Sequence, residues 1–272
     1  MGRGAGGAPR TRRPGWFAAL LALALAVVLA FLGLPILAVF LDTSPGALVE
    51  SLGQSEARDA LLLSLRTTSA ALVLILLVGT PAAYLLATRS FRGKAVVVTL
   101  VELPLVLPPA VAGIALLASV GPGGVLGPVI GDSLALQTAG VVVALTFVAS
   151  PFYIRQAQAA FGALDRSWLD AARTLGASEA RAFARVAIPA ALPGLAAGTA
   201  LALGRALGEF GATLIFAGSF QGITQTVPLA IYDRFATDFD AALALAAVLV
   251  VLATALLLTV KLVGRSSPLA GA

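Results

Sequence analysis

The chain has no cysteine and no histidine. Their absence excludes a disulfide frame, a thiol nucleophile, an imidazole base and a Cys/His metal site. Asparagine is missing as well, so there is no N-glycosylation sequon. Charge is scarce: Asp, Glu, Lys and Arg make up 11% of the 272 residues, against about 25% in a soluble domain. Too few polar side chains are present to cover a globule in water. The mean hydropathy of +0.99 suits a protein whose outer face meets lipid. The length allows one membrane domain and leaves no room for a second catalytic one. The net charge of +5 would point to nucleic acid in a soluble protein. In a membrane protein, basic residues set orientation instead, and no nucleic-acid partner is expected.

Long apolar runs fill the space that charge leaves. A spanning helix takes about 20 apolar residues. Six segments reach or approach that length: Trp16–Leu41, Leu61–Ala87, Ala95–Val120, Leu136–Ile154, Ala190–Ala217 and Ala241–Val263. The expected fold class is therefore all-α integral membrane with about six transmembrane helices. The expected organisation is a basic arm (1–13), a transmembrane domain (14–265) and a short tail (266–272). The first run is longer than the roughly 7–15 residues of a signal-peptide core, so it reads as a retained anchor.

Basic residues assign the sides. With the N-terminus inside, the arm carries Arg3, Arg10, Arg12 and Arg13, and the first inner loop carries Arg89, Arg92 and Lys94. The segment Arg155–Pro189 carries Arg155, Arg166, Arg173, Arg181 and Arg185, and the tail end carries Lys261 and Arg265. The outer segments carry only Arg58 and Arg234 but hold most of the acids, Asp42, Glu50, Glu56, Asp59, Asp132, Asp233, Asp238 and Asp240. Both termini are expected on the cytoplasmic side.

Helix breakers and charges inside the runs mark special places. The third run contains Pro104, Pro108 and Pro109, which remove three amide donors. Lipid offers backbone no hydrogen bonds, so this helix is expected to bend or break against protein or a cavity. The fifth run spaces Gly194 with Gly198 and Gly204 with Gly208, which lets helices approach closely. Arg66 near the outer end of the second run reads as a snorkelling side chain. Glu102 sits early in the third run, close to an interface. Arg205 and Glu209 lie deep in the fifth run and, four residues apart, would share a helix face. Either they form an ion pair within one helix or they line a pathway or gate.

The loop between the fourth and fifth runs is the longest inner one, and it carries helix signals of its own. Ser167 stands three residues before Asp170, as in a capping box. A short helix over Trp168–Leu175 is expected, closed by Gly176 as the C′ residue. Trp168, Leu169, Ala172 and Leu175 would make one apolar stripe, suited to a membrane surface or to another protein. Ser178 restarts a helix that is expected to run to Pro189.

Asp170-Ala171-Ala172, Gly176 four residues later, then nine residues and Val186-Ala187-Ile188-Pro189 resemble the EAA loop of binding-protein-dependent ABC importer permeases. That family's pattern is Glu-Ala-Ala-x3-Gly-x9-Ile-x-Leu-Pro. Asp170, Val186 and Ile188 depart from it conservatively, and the resemblance extends from about residue 58 to 263. It implies the type I importer permease fold, and a loop (Asp170, Ala171, Ala172, Leu175, Gly176, Pro189) that docks into a separate ATPase subunit.

Three stretches look like the molybdate permeases: Leu103–Gly113, Gly204–Thr213 and Thr224–Tyr232. The second is similar in sulfate permeases, and the third separates the two. The implied substrate is molybdate, with tungstate as a second candidate and sulfate or thiosulfate as the alternative within the family.

No phosphate-binding loop is present: Gly93-Lys94 is followed by Ala95, and Thr88 stands where the first glycine would be. The resemblance therefore implies a subunit that is no enzyme and holds no cofactor. ATP and Mg would sit on two partner ATPase subunits. It further implies a homodimer in the cytoplasmic membrane of a bacterium or archaeon, served by an external oxyanion-binding protein. The path would follow the two-fold axis, lined by the third and fifth spans with Pro104, Pro108, Pro109, Arg205 and Glu209. An ion-coupled secondary transporter is the rival of a different class, and it would need no such loop.

The topology is testable because no native cysteine interferes. An impermeant thiol reagent applied from outside is expected to label Leu48→Cys and to spare Glu179→Cys. The opposite labelling would invert the assignment.

Overall fold

The computed structural model describes residues 15–130 and 134–265. The basic arm, the 266–272 tail and Asp132 lie outside the described residues. Helix α1 (Trp16–Asp42) is apolar on every side and buries none of its side chains against the rest of the chain. It stops where Thr43 turns its hydroxyl onto the Val39 carbonyl at 2.6 Å. Ser44 then caps α2 (Pro45–Gly53) by accepting from the Ala47 amide. Helix α3 (Ser55–Thr88) has 34 residues, about 51 Å of helix, which is longer than the roughly 30 Å lipid core.

Gly93, at φ +83°, reverses the chain into α4 (Lys94–Val106). Pro108 and Pro109 end that helix and start α5 (Pro109–Val120), whose axis is turned 120° from α4. The expected break in the third span is thus present, between Val106 and Pro109. One turn, α6 (Gly127–Ile130), precedes α7 (Thr138–Gly162). The fourth span was expected to end at Ile154, with Arg155 on the loop. Instead α7 continues about two turns further and carries Arg155 within it, where Arg155 pairs with Glu102 of α4 at 2.7 Å.

Then follow α8 (Arg166–Thr174) and α9 (Glu179–Ala182), a π-helical turn over Phe183–Ala187, and α10 (Ile188–Leu207). Pro189 was expected to stop the restarted helix. It does not: the helix runs on through the π turn and Pro189 into α10, unbroken from Glu179 to Leu207. The fifth span was read as one helix to Ala217, but it breaks after Leu207 and resumes as α11 (Gly211–Ala217). The chain closes with α12 (Val227–Phe235) and α13 (Phe239–Arg265). Among the described residues five helices are long and apolar enough to cross a membrane, one of them running unbroken from Glu179 to Leu207, and there are six if the bent pair α4 and α5 is counted as one span.

Helix α7 is the central element, with α3, α10 and α11 packed around it. Small residues set these contacts. A Cβ on Gly79 of α3 would come within 3.0 Å of the Tyr153 ring, and one on Gly198 of α10 within 3.1 Å of Gln156. Gly194 likewise faces Ala160, so the first glycine pair of the fifth run packs as its spacing predicts. Around Gly204 there is open space, and the second pair packs against nothing in this chain. In the middle of the α3–α7 seam the Tyr153 and Thr80 hydroxyls share a 2.6 Å hydrogen bond, an interhelical bond worth about 0.6 kcal/mol in a membrane. At the end of the bundle opposite α8, Arg234 of α12 pairs with Glu56 and bonds Gln54 at 3.1 Å.

Helix α5 seats on α11 through Gly113, where an added Cβ would meet Ile215 Cβ at 2.8 Å and the Ala212 carbonyl at 3.0 Å. Gly113→Val is expected to destabilise the purified protein by about 1–3 kcal/mol through overpacking. Thermal unfolding in detergent would show it as a lowered Tm, whereas Gly204→Ala, facing open space, is expected to shift it far less.

Candidate functional site

The chain presents two groups of candidate residues, at opposite ends of α10. The first is the short-helix loop. Its helix starts one residue earlier than Ser167: Asp165 is the cap, accepting from the Ser167 amide at 2.9 Å. That bond holds the exposed Asp165 carboxyl below the usual carboxylate range, so the cap is present at neutral pH and lost as pH falls through the lowered value. The expected Ser167 capping box is therefore replaced by an Asp165 cap, two residues upstream.

The helix closes as its glycine requires. The Ala177 amide reaches the Ala172 carbonyl at 3.0 Å and the Gly176 amide reaches Arg173 at 2.9 Å, the paired bonds of a Schellman turn. Gly176 has φ +82°, and a Cβ there would meet nothing within 4 Å. Any side chain at 176 is thus penalised by backbone conformation alone.

The apolar stripe expected over Trp168, Leu169, Ala172 and Leu175 is split. Leu169 is buried and Ala172 half-buried against the core, while Trp168 is 50% and Leu175 88% exposed. The inner pair anchors α8, and the outer pair, with exposed Ala171, forms a small apolar face at the end of the molecule. Asp170 lies beside it, paired with Arg173 at 3.0 Å.

The loop is bolted to the bundle by contacts that sequence reading did not find. Glu179 takes Arg89, just past the end of α3, at 2.7 Å and stands 3.8 Å from Arg173. Beneath it Tyr84, Phe161 and Phe183 stack, with centroids 4.7 to 6.1 Å apart, joining α3, α7 and the π turn. The loop is thus tied to the end of α3, to α7 and to the π turn that leads into α10.

The second group lies where α10 breaks. Arg205 and Glu209 do form an ion pair, Nη1 to Oε2 at 2.6 Å. Glu209 is not on the helix face assigned to it. It stands in the break, 1% exposed, and its Oε1 accepts from the Ala212 amide at 2.7 Å. A carboxylate at this point satisfies an orphan donor of α11 and complements its positive end. Glycine at 211 brings the Pro109 ring against this break, where a Cβ would stand 2.7 Å from Pro109 Cβ. The breaks in the third and fifth spans thus meet. Pro104 lies apart, inside α4.

Glu102 and Arg155 form a further pair that the sequence alone did not reveal. They tie α4 to α7 below the same break, both of them partly exposed. Two opposite charges in runs of otherwise apolar residues were the available signal, but nothing in the chain states which helix faces which. Among the described residues, no cluster of Asp and Glu could hold a metal ion.

A family model described as binding-protein-dependent transport system inner membrane component matches residues 79–266. The molybdenum transport system permease protein ModB of Mycobacterium tuberculosis is 41% identical over 242 residues, 88% of this chain and 90% of that one. The protein of the same name from Escherichia coli is 40% identical over 183 residues, 66% of this chain and 80% of that one. Among solved structures, a chain of a bacterial ABC transporter involved in the import of alginate superposes with a TM-score of 0.71. It is 18% identical, and the match covers 92% of this chain and 95% of that one. A chain of the inward-facing MetNI methionine ABC transporter gives a TM-score of 0.55 at 20% identity, over 76% of this chain and 91% of that one. The chain belongs to the inner membrane components of binding-protein-dependent transport systems, and it has the fold of the type I ABC importer permeases.

Proposed function

We propose that this chain is the membrane-spanning subunit of an ATP-driven importer for molybdate, which it carries across the cytoplasmic membrane. The observation that carries the reading is the α8 loop: a capped, glycine-closed helix bolted to three bundle helices and offering Trp168, Ala171 and Leu175 outward. Such a face suits a cleft on a separate ATPase, which would bind ATP and Mg and do the hydrolysis. The substrate rests on the named relatives, molybdenum transport permeases at about two-fifths identity over most of the chain. Two copies of this chain would surround the path, with both termini cytoplasmic and an external binding protein delivering the anion on the α12 side. Specificity would then reside mainly in the delivery protein, and this chain would supply a gated passage.

The gate would be the meeting of the two breaks. Pro109 and Gly211 hold the ends of α5 and α11 together, and the Arg205–Glu209 pair holds α10 to α11. Movement of α8 is transmitted along α10, which begins at the loop and ends at that pair.

Reconstituted with its ATPase and binding protein, the wild type is expected to import molybdate only when ATP is present. Uptake driven by an ion gradient without ATP would overturn the reading in favour of a secondary transporter. Gly176→Val is expected to insert normally but to release the ATPase or to waste ATP, measured as co-purification and as ATP consumed per anion. A variant with native assembly and native coupling would show that this loop is not the transmission joint. Removing one charge of the inner pair, Arg205→Gln or Glu209→Gln, is expected to cost about 1–3 kcal/mol by leaving the other uncompensated. Transport at the wild-type rate by both variants, at equal expression, would remove the pair from the gate.

A further inference from the structure

The ends of three spans meet around a cavity of about 250 Å³: α3 closes at Thr88, α4 opens at Lys94 and α7 closes at Gly162. Its polar lining is Lys94, Arg155 and Gln158, and Leu86, Ala87 and Ala159 give it apolar walls. Among the described residues no Asp or Glu lines it. With the termini inside, this is the cytoplasmic end of the spans, and the apolar run of α4 starts one residue later, at Ala95. The cavity therefore stands where hydrocarbon gives way to headgroups, on the side of α4 that faces α3 and α7 of its own chain.

Charge in this cavity is not balanced. Arg155 gives Nε to Glu102 at 2.7 Å and Nη1 to Gln158 Oε1 at 2.9 Å, so its charge is met. Lys94 gives one Nζ hydrogen to the Arg89 carbonyl at 3.0 Å. Among the described residues, no carboxylate lies within ion-pair distance of Lys94. Two ammonium hydrogens, the Nη2 group of Arg155 and the amide NH2 of Gln158 remain as donors. One uncompensated positive charge among several N–H donors matches a phosphodiester, which brings one negative charge and acceptor oxygens. Basic pockets between spans on the cytoplasmic side suit anionic headgroups for this reason.

We propose that this cavity binds the phosphate group of an anionic phospholipid from the cytoplasmic leaflet. Lys94 and Arg155 hold the phosphate from two different helices, Gln158 donates to it, and the apolar walls take the first carbons of the lipid. The bound lipid ties the base of α4 to α7, and α4 has no buried side chain of its own to anchor it. The site is independent of what the chain transports. It rests on the topology alone, which thiol labelling checks separately. Inorganic phosphate offers the same oxygens, and Lys94 can also do no more than cap the end of α3 and mark the cytoplasmic side.

The full-length chain, purified in a neutral detergent, separates these cases. Its Tm would be followed while phosphatidylglycerol, phosphatidylcholine or inorganic phosphate is titrated in. Phosphatidylglycerol is expected to raise the Tm to a plateau, and the other two are not. Lys94→Gln is expected to shift the midpoint of that titration about fivefold upward in lipid concentration. Gln158→Glu keeps an acceptor for Arg155 but adds a negative charge, and is expected to shift it at least as far. It also keeps the test open if Lys94→Gln fails to fold. Lys94→Arg is expected to keep the native midpoint, as is Arg92→Gln, whose side chain lies outside the cavity lining. A loss in Arg92→Gln equal to that in Lys94→Gln would assign the effect to a diffuse basic surface and overturn the site, as would native midpoints in both Lys94→Gln and Gln158→Glu. The same plateau reached with inorganic phosphate would give the cavity to a soluble anion and overturn the lipid. A wild type that phosphatidylglycerol stabilises no more than phosphatidylcholine does would reject the proposal before any variant is made.

Discussion

An interrupted helix inside a membrane exposes amide groups that lipid cannot satisfy, and the arrangement of this molecule depends on how one such group is met. Glu209 lends one carboxylate oxygen to the Ala212 amide and the other to Arg205. The first bond fixes where α11 begins and the second fixes α11 to α10. Glu209 is almost wholly buried, and its charge would not be tolerable there without a partner. Because α11 is held, α5 has a surface to seat on, and the severed third span can turn through 120° without unravelling. The proline break and the acidic break are thus one structure built from two sequence-distant stretches.

The opposite end of α10 shows the same economy with different chemistry. There the backbone groups are met by a Schellman turn at Gly176 and side-chain caps from Asp165 and Ser178. Charge on this end is exposed and lies in a chain, Asp170 to Arg173 to Glu179 to Arg89. Exposed pairs of this kind contribute little stability each, about 0–1 kcal/mol. Their arrangement along one line does hold orientation, and the aromatic trio beneath them supplies the packing.

What could be read from the sequence divides along physical lines. Features made by covalent chemistry were legible. Proline's missing amide announced the break before Pro109, and Gly176 announced its own left-handed conformation. Apolar length gave the order of the spans. The break after Leu207 was hidden, since no proline interrupts the run and its two charges, Arg205 and Glu209, keep a helical spacing of four. Its sign was Glu209 itself, an acid three residues ahead of the amide it caps, read instead as one half of a helical pair. The true cap of α8 was missed for a related reason. Asp165 and Ser167 are both good caps, and only the end of α7 at Gly162 decides between them. Pairs such as Glu102 with Arg155 or Thr80 with Tyr153 depend on which helix faces which. That information belongs to packing and has no local trace.

The π turn over Phe183–Ala187 has a consequence for everything that follows it in the chain. A π turn holds an extra residue relative to an α turn, and one residue is about 100° of helical phase. This single surplus residue therefore sets the azimuth of α10. It is why Gly194 and Gly198 meet α7. In a chain one residue shorter at this turn, the same α10 sequence would present another side to its neighbours. The bearing of the whole helix is thus indexed by a local defect in its first turns, next to the loop that would have to move it.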